Sequence, residues 1–294
     1  MIKYVQVRSA LNKHRKRDDW FLDDYTINPY QGCSFNCIYC YIRGSKYGSD
    51  SGGTWAVKEN ILTVLNKQLK NRAKRKEYGI VAVSSATEPY MSIEKELKIT
   101  REILKMILRY RFPVEIATKS TLVVRDLDIL EQIDKTAILP EDLRGKLKHK
   151  AIISFSLSTI DETLARIFEP GAPPPIERLK TMKKCKDEGF FVGINFIPVL
   201  PFLSDSQEEL EKMIRTAKDF GADYVFVGAL TLFGEGKRLY YKVLEKHFPN
   251  LLHKYKSLFR IFSYPPKEYQ EKLTKIALEI CTKVGIKMGI LGNS

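Results

Sequence analysis

Short, continuously apolar runs recur along the chain, and amphipathic segments separate most of them. Such runs are typical of strands that are buried on both faces of a sheet. We predict about six strands, at residues 26–30, 79–85, 112–120, 151–158, 190–201 and 223–232. Apolar residues at helical spacing predict helices between them, at residues 55–76, at about 94–107, from near 125, and from the capping box Ser206-x-x-Glu209 to Gly221.

Regular alternation of strands and helices predicts an α/β protein with a parallel sheet, because parallel strands need crossover connections. The pattern fits both an open doubly wound sheet and a partial barrel, and in both architectures ligands bind at the carboxyl ends of the strands. A glycine-rich loop is predicted at 43–53. We expect one domain, with a basic leader and the sheet in residues 1–234 and a helical C-terminal extension in residues 235–294.

Positive charge exceeds negative charge, since 49 Lys and Arg residues face 35 Asp and Glu residues for a net charge of +14. This excess favours polyanions or acidic small molecules as partners. A thermophile surface rich in ion pairs explains many charges, but not an excess of one sign. No run is apolar enough for a signal peptide or a membrane span, so we expect a soluble, cytoplasmic protein without membrane contact.

Three of the five cysteines lie close together, in the spacing Cys33-x3-Cys37-x2-Cys40. Without an export signal, such a group indicates metal or redox chemistry. Three thiolates can bind three irons of a [4Fe–4S] cluster and leave the fourth iron open to a substrate. A structural zinc site needs four Cys or His ligands, usually in two pairs, and the four histidines show no such pairing. Cys185 and Cys281 fall in apolar helical stripes, where buried structural thiols are expected.

With the aromatic Tyr39 before the third cysteine, this motif resembles that of the radical S-adenosylmethionine (SAM) superfamily. Over roughly residues 26–201 the chain resembles its spore photoproduct lyase-like branch, often labelled DNA repair photolyase. The matching stretches, in order, are NPYQGCSFNCIYCY, SSATEPY, ATKS with a later RD, SFSLS, EPGAPPP with ERL, and FIPVLP. The resemblance implies a partial (β/α)6 TIM-type barrel with one [4Fe–4S] cluster. It also implies reductive cleavage of SAM to a 5′-deoxyadenosyl radical, which abstracts hydrogen from a substrate.

Polar residues at the ends of the predicted strands are candidate SAM ligands. The resemblance implies that Ser85, Thr87 and Glu88 lie where the superfamily contacts the amino group of SAM, and that Lys119 faces its carboxylate. For the first three residues, capping of the helix that starts near Glu94 is the alternative. For Lys119, the alternative is a solvated lysine at the end of a strand.

Ser154 and Ser156 alternate with apolar residues, so both hydroxyls face one side of their strand. If that side is the barrel interior, ribose oxygens would satisfy them, whereas serines bonded to the backbone are the alternative. Residues 195–199 are candidate contacts for adenine, with a plain core role as the alternative. Glu169 precedes a stiff Gly-Ala-Pro-Pro-Pro loop and is a further candidate for cofactor binding.

Tyr39 and Tyr41 flank the last cluster cysteine and are the candidate catalytic residues, with Tyr41 also expected beside SAM. In the lyase, tyrosines near the motif and a cysteine after the second strand return a hydrogen atom to the product radical. Ser85 stands at the position of that cysteine, and a serine O–H bond is too strong to donate hydrogen easily. We therefore predict that this chain lacks spore photoproduct lyase activity.

These patterns predict a radical SAM enzyme of unidentified substrate, for which nucleic acid is one candidate. We also expect an external one-electron reductant, flavodoxin- or ferredoxin-like, and a monomeric protein. Basic runs at 13–17 and 67–76, together with the aromatic content, leave open a nucleic-acid-binding protein with a structural cluster. A plain electron-transfer protein is a third class, and the missing fourth ligand counts against it.

Overall fold

The computed structural model describes residues 3–43 and 55–292, so nearly all of the predicted loop at 43–53 lies outside the described residues. The strands are β1 (Lys3–Val5), β2 (Leu11–Lys13), β3 (Asp23–Ile27), β4 (Tyr30–Gly32), β5 (Trp55–Lys58), β6 (Ile80–Val83), β7 (Val114–Thr118), β8 (Ala151–Ser156), β9 (Phe191–Val199), β10 (Tyr224–Ala229) and β11 (Lys287–Met288). The α-helices are α1 (Ile61–Lys74), α2 (Glu94–Leu97), α3 (Ile99–Arg109), α4 (Leu127–Thr136), α5 (Glu162–Phe168), α6 (Pro175–Asp187), α7 (Gln207–Asp219), α8 (Gly234–His247), α9 (Leu252–Leu258) and α10 (Lys267–Val284). Short 3₁₀ helices occupy Thr121–Asp126, Glu141–Leu143 and Pro249–Leu251.

Seven strands form a parallel array in the order β3, β6, β7, β8, β9, β10, β11, and β2 pairs antiparallel with β3 at one edge. The first six of the array correspond to the six predicted strands, and the predicted α/β class is confirmed. Their residues are buried almost throughout, as in β6, because helices cover the outer face and side chains fill the inner one. A second sheet, in the order β1, β5, β4, leads into the cysteine segment.

Alternate residues of β8 show how the two faces of the sheet divide. Ile153 packs in the main hydrophobic core with residues of α4 and α6 on the outside of the sheet. Ile152 belongs to an inner cluster with Tyr224 of β10. Because side chains alternate along a strand, Ser154 and Ser156 share the inward side with Ile152, as their spacing predicts.

The sheet curves into a partial barrel. Strand pairing within the described residues runs from β2 to β11 and does not link these two edges. Residues ahead of β3 nevertheless reach across the gap, where the Trp20 ring stacks on Phe226 of β10 with 5.3 Å between centroids and 6° between planes. Phe21 lies 5.1 Å from the same ring. These aromatic contacts join the first and sixth strands of the predicted barrel without hydrogen bonds.

The helix prediction for residues 55–76 is wrong in its first part. Trp55–Lys58 form β5, in which Val57 pairs with Tyr4 of β1 on one side and with Tyr30 of β4 on the other. The helix begins only at Ile61. Val57 matches the helical spacing, but a β-branched residue with pairing partners from two distant segments is more stable in a strand.

Two other boundaries differ from the predicted ones. The first strand of the array is β3, three residues earlier than the predicted segment 26–30, because Tyr30 already belongs to the second sheet. The helix predicted at about 94–107 is divided into α2 and α3 by Lys98, whose left-handed backbone (φ 52°) interrupts the helical path. The apolar spacing continues across this break, so the sequence pattern does not reveal it.

The C-terminal segment contains the predicted helices and one strand that the sequence analysis missed. Leu273, Ala277 and Ile280 of α10 lie in the main core. β11 then pairs in parallel with β10, where Lys287 lies opposite Tyr224. Its two residues are too short a run to be recognised as a strand. The division at residue 234 stays a prediction. Among the described residues, none of the helices has both the length and the apolar character that crossing a bilayer requires.

Candidate active site

The cysteine loop (residues 33–43) begins where β4 ends and carries the three clustered cysteines on an irregular backbone. Asn36, with φ 54°, turns the chain between Cys33 and Cys37. These two thiols and that of Cys40 are partly exposed and free of disulfides, and all three line one cavity of about 440 Å³. The fold thus gathers on a single wall the residues that the spacing predicts to act together.

The thiols of Cys33 and Cys37 have an environment that disfavours a bare thiolate. Burial, with a contribution from the carboxylate of Glu88, raises the pKa of Cys33 to about 12. Burial also raises the pKa of Cys37, against the attraction of Lys119. Thiolates here therefore need positive charge beside them, which bound iron supplies.

The arrangement of the ligands fits a cluster. Within the described residues, no three His, Cys, Asp or Glu side chains are gathered closely enough to hold a single metal ion. An iron–sulfur cube makes a different demand, because each thiolate binds its own iron. Three thiols spread along one cavity wall are a suitable donor set for three corners of such a cube.

Tyr39 anchors the cysteine loop to the barrel through Glu169. Its hydroxyl donates to Glu169 Oε1, which also accepts a 3.0 Å hydrogen bond from Ser158. Arg178 of α6 forms a 2.5 Å ion pair with Oε2. Burial opposes ionisation of Glu169, but Arg178 and Lys119 outweigh it and keep the pKa of this carboxyl below its usual value. Glu169 and Arg178 are only 2% and 1% exposed, so the network is internal.

The loop after β6 brings further predicted SAM ligands to the cavity, and Glu88 is held there by three donors. Its carboxylate accepts hydrogen bonds from the Thr118 hydroxyl (2.5 Å) and from the backbone amides of Lys119 (2.9 Å) and Tyr90 (3.0 Å). Burial nevertheless raises its pKa. An ammonium group placed beside it would favour the ionised carboxylate. Glu88 is thus oriented by the end of β7 and suits a cationic ligand.

The rest of this loop is fixed by Asn28, which directly follows β3. Asn28 Oδ1 accepts hydrogen bonds from the Ala86 amide (2.9 Å) and the Thr87 hydroxyl (3.3 Å). The Tyr41 hydroxyl donates a 2.6 Å bond to the carbonyl of Ser85, which links the loop to the cysteine loop. None of the predicted residues caps α2, because its N-cap residue is Ile93, which makes no side-chain capping bond.

Lys119 places a cation next to the cysteine loop. Its Nζ lies 5.9 Å from the centre of the Tyr39 ring. Its charge partly opposes the rise that burial causes in the pKa of Cys37, and it helps to keep the pKa of Glu169 below the usual value. The backbone of Lys119 is fixed at the same time by its bond to Glu88. A cation in this position can attract a carboxylate and can offset the negative charge of thiolates.

The opposite wall is formed by β8 and β9, where Ser156 pairs in register with Asn195. Both residues line the cavity, as do Ile197 and Pro198 from the segment predicted to contact adenine. Ser154 lies deeper and is fully buried, with its hydroxyl bonded to other side chains rather than to the backbone.

The cavity floor, formed by Asp23, Glu115 and Asn195, includes two carboxyls that the sequence analysis missed. Burial raises the pKa of Asp23 to about 6, although His14 opposes the shift. Burial and the charge of Asp23 raise the pKa of Glu115 to about 8. A signal was available for Glu115, because a glutamate inside the otherwise apolar stretch at 112–117 is unusual.

Most of the predicted site residues therefore share one cavity. Those that line it are Cys33, Cys37, Cys40, Tyr39, Tyr41, Ser85, Thr87, Glu88, Lys119 and Ser156. Ser154 and Glu169 lie behind the cavity wall, where both are bonded to other side chains.

Residues 27–217 match the family model described as the radical SAM superfamily. The match covers more than half of the chain, so the protein belongs to this superfamily and is one of its enzymes. An uncharacterised protein of Mycobacterium tuberculosis is 29% identical over 265 residues, which cover 88% of this chain and 74% of that protein.

Solved structures share the fold at low sequence identity. Spore photoproduct lyase superposes with a TM-score of 0.65 and 16% identity, over 96% of this chain and 79% of that chain. A mutant lyase with bound AdoMet and dinucleoside spore photoproduct superposes with a TM-score of 0.61 and 17% identity, over 95% of this chain and 78% of that chain. SuiB of Streptococcus suis, bound to the precursor peptide SuiA, superposes with a TM-score of 0.54 and 14% identity, over 90% of this chain and 47% of that chain.

Proposed function

We propose that this enzyme holds one [4Fe–4S] cluster on Cys33, Cys37 and Cys40 and cleaves SAM reductively. When bound, cluster and SAM supply the chemistry, since one electron splits the sulfonium–carbon bond to give methionine and a 5′-deoxyadenosyl radical that abstracts hydrogen from a substrate. One observation carries the proposal: three cysteines line the same cavity as Glu88 and Lys119. The other two cysteines lie in the main core.

The residues at the cysteine end of the cavity would hold the methionine part of SAM. Glu88, oriented by three donors, would accept hydrogen bonds from its ammonium, and Lys119 would pair with its carboxylate. Ser85 and Thr87 would add contacts from the same loop. Tyr41, whose hydroxyl is tied to that loop, would cover the bound cofactor and stand nearest to the radical chemistry.

The adenosine part would lie along β8 and β9. Ser156 would reach the ribose, and the backbone and apolar side chains of residues 195–199 would contact adenine, without use of the side-chain amide of Asn195. Tyr39 and Glu169 would act as positioning residues, because their mutual bond holds the cysteine loop in place. Ser154 would act on the floor instead, through its bond to Glu115.

The reducing electron would come from a flavodoxin- or ferredoxin-like partner, because Cys185 and Cys281 are single buried thiols that cannot hold a second cluster. The substrate does not follow from the fold. One structural neighbour is bound to a dinucleoside photoproduct and another to a peptide.

The test uses protein that is purified anaerobically and reconstituted with iron and sulfide. Addition of dithionite and SAM should yield 5′-deoxyadenosine, measured by liquid chromatography and mass spectrometry. Addition of SAM should also change the electron paramagnetic resonance signal of the reduced cluster, because SAM binds to an iron. A fully loaded cluster that gives neither response would refute the proposal and favour a structural cluster.

A further inference from the structure

The cavity floor is distinct in position from the cysteine end. Asp23 is the first residue of β3, Glu115 the second residue of β7, and Asn195 lies in the middle of β9. They are 4%, 1% and 3% exposed, yet all three line the cavity. Glu115 precedes Lys119 by four residues, which is roughly 13 Å along an extended strand. The residues proposed to contact the methionine part of SAM come after the carboxyl ends of the strands, whereas the floor residues belong to the strands themselves.

The carboxyl of Glu115 is held in place, but within the described residues no positive charge is found beside it. Ser154 donates a 2.6 Å hydrogen bond to its Oε1, and the Tyr224 hydroxyl lies 2.7 Å from the same serine oxygen. The charges that act on Glu115, those of Asp23 and Asp18, are both negative. A carboxyl in this setting favours a ligand that brings positive charge.

Asn195 provides a second and independent indication of a ligand. Its Oδ1 is buried and accepts no hydrogen bond within the described part of the protein. A buried acceptor left in this way is less stable than one that is hydrogen-bonded. Because Asn195 lines the cavity, a molecule that enters the cavity can supply the missing donor.

We propose that the floor binds a cationic nitrogen group of the substrate, namely an amine, amidine or guanidine. This inference rests on the proposed function, since it concerns the substrate of the same cavity. Such a group donates hydrogen bonds to Asn195 Oδ1 and to the carboxyls of Asp23 and Glu115, and its charge offsets theirs. Anions and neutral alkyl groups do neither. The preference opposes the net charge of +14, so it belongs to the cavity and not to the protein surface.

The experiment uses the reconstituted enzyme with saturating SAM and four probes of similar size: n-butylguanidinium, n-butylammonium, valerate and n-butanol. Isothermal titration should show at least tenfold tighter binding of the two cations than of valerate or butanol. Glu115→Gln and Asp23→Asn should each weaken n-butylguanidinium at least fivefold. The matched control Glu268→Gln, at an exposed position on α10, should leave its affinity unchanged.

Equal binding of cations and valerate by the wild-type enzyme would overturn the inference, and this comparison does not depend on whether a variant folds. So would cation binding that neither floor variant weakens. A repeat of the titration without SAM gives a further test: cation binding that is seen without SAM and lost with it would overturn the inference, because the floor would then belong to the cofactor. Formation of 5′-deoxyadenosine is measured on the same wild-type samples. Its absence refutes the proposed function, whereas its presence without selectivity for cations refutes the inference alone.

Discussion

The carboxyls at the two ends of the cavity have opposite environments. At the cysteine end, Glu88 accepts three hydrogen bonds and Glu169 pairs with Arg178. At the floor, Glu115 accepts one hydrogen bond and faces other negative charges, and Asp23 has His14 at 3.6 Å. The protein itself stabilises the carboxyls at the cysteine end, whereas those at the floor have fewer hydrogen bonds and less positive charge beside them.

The difference indicates which parts of the site are prepared in advance. A buried ion pair that is also held by hydrogen bonds fixes a geometry, and the bonds from Tyr39 and Ser158 to Glu169 Oε1 do this for the cysteine loop. Carboxyls without a cation leave binding energy for a ligand of opposite charge. We infer that the cysteine end is built to hold a fixed cofactor and that the floor is built to select a substrate.

The largest expected effect comes from Cys37→Ala, which removes one of the three iron ligands. Two thiolates do not retain a cube, so iron content should collapse and formation of 5′-deoxyadenosine should fall at least about 100-fold. Iron analysis and product assay measure both. Cys281→Ala is the matched control, because this thiol lies in the main core on α10, and it should keep its iron. A variant without Cys37 that retains iron and activity would show that the site lies elsewhere.

Glu169→Gln should destabilise the protein by about 3–5 kcal/mol, because it leaves Arg178 as an uncompensated buried charge. Urea unfolding measures the change. Glu177→Gln, at an exposed position on the same helix as Arg178, should stay within about 0.5 kcal/mol of the wild type. If both variants unfold alike, the cysteine end is not held by this ion pair, and the contrast between the two ends disappears.

Glu115→Gln tests the floor through the pH dependence of stability. The pKa of Glu115 is raised from 4.5 to about 8, so between these values the folded protein holds a proton that the unfolded chain has lost. This contribution to stability is therefore complete below pH 4.5 and is lost as the pH rises toward 8 and above. The upper limit of the loss is on the order of 5 kcal/mol.

Urea unfolding of the wild type and of Glu115→Gln at pH 5.5, 7.0 and 8.5 measures this loss. The stability of the wild type should fall relative to the variant as the pH rises. Asp23 and Asp18, the two other charges that act on position 115, are present in both proteins, so the difference between the profiles isolates Glu115. Parallel profiles would contradict an uncompensated carboxyl at the floor.

Much of the cysteine end could be predicted, because its residues carry local signals. The cysteine spacing is a sequence pattern. Glu88 follows one predicted strand and Lys119 lies at the end of the next, and the carboxyl ends of such strands meet in a barrel. The network around Glu169 could not be predicted in the same way. It joins Tyr39 to Arg178 through a carboxylate 130 residues further along the chain than Tyr39, and no local pattern records such a contact.

The errors in the fold have the same origin. Trp55–Lys58 join the second sheet because of distant pairing partners, which override a helical spacing of apolar residues. β11 is a strand because of its pairing with β10, not because of its composition. The floor is an intermediate case. Glu115 is unusual in its strand, but its proximity to Asp23 depends on the curvature of the sheet.

The smallest expected effect comes from Tyr224→Phe, which removes the hydroxyl that lies 2.7 Å from Ser154. Loss of one buried hydrogen bond should lower stability by about 1 kcal/mol. If Tyr224 acts on the floor through Ser154 and Glu115, its removal should matter less when position 115 is already Gln. Urea unfolding of the two single variants and the double variant gives the coupling energy, which we expect to be about 0.5–1 kcal/mol. Strict additivity would mean that the hydroxyl of Tyr224 does not help to orient Glu115, and that Ser154 alone sets the position of the floor carboxyl.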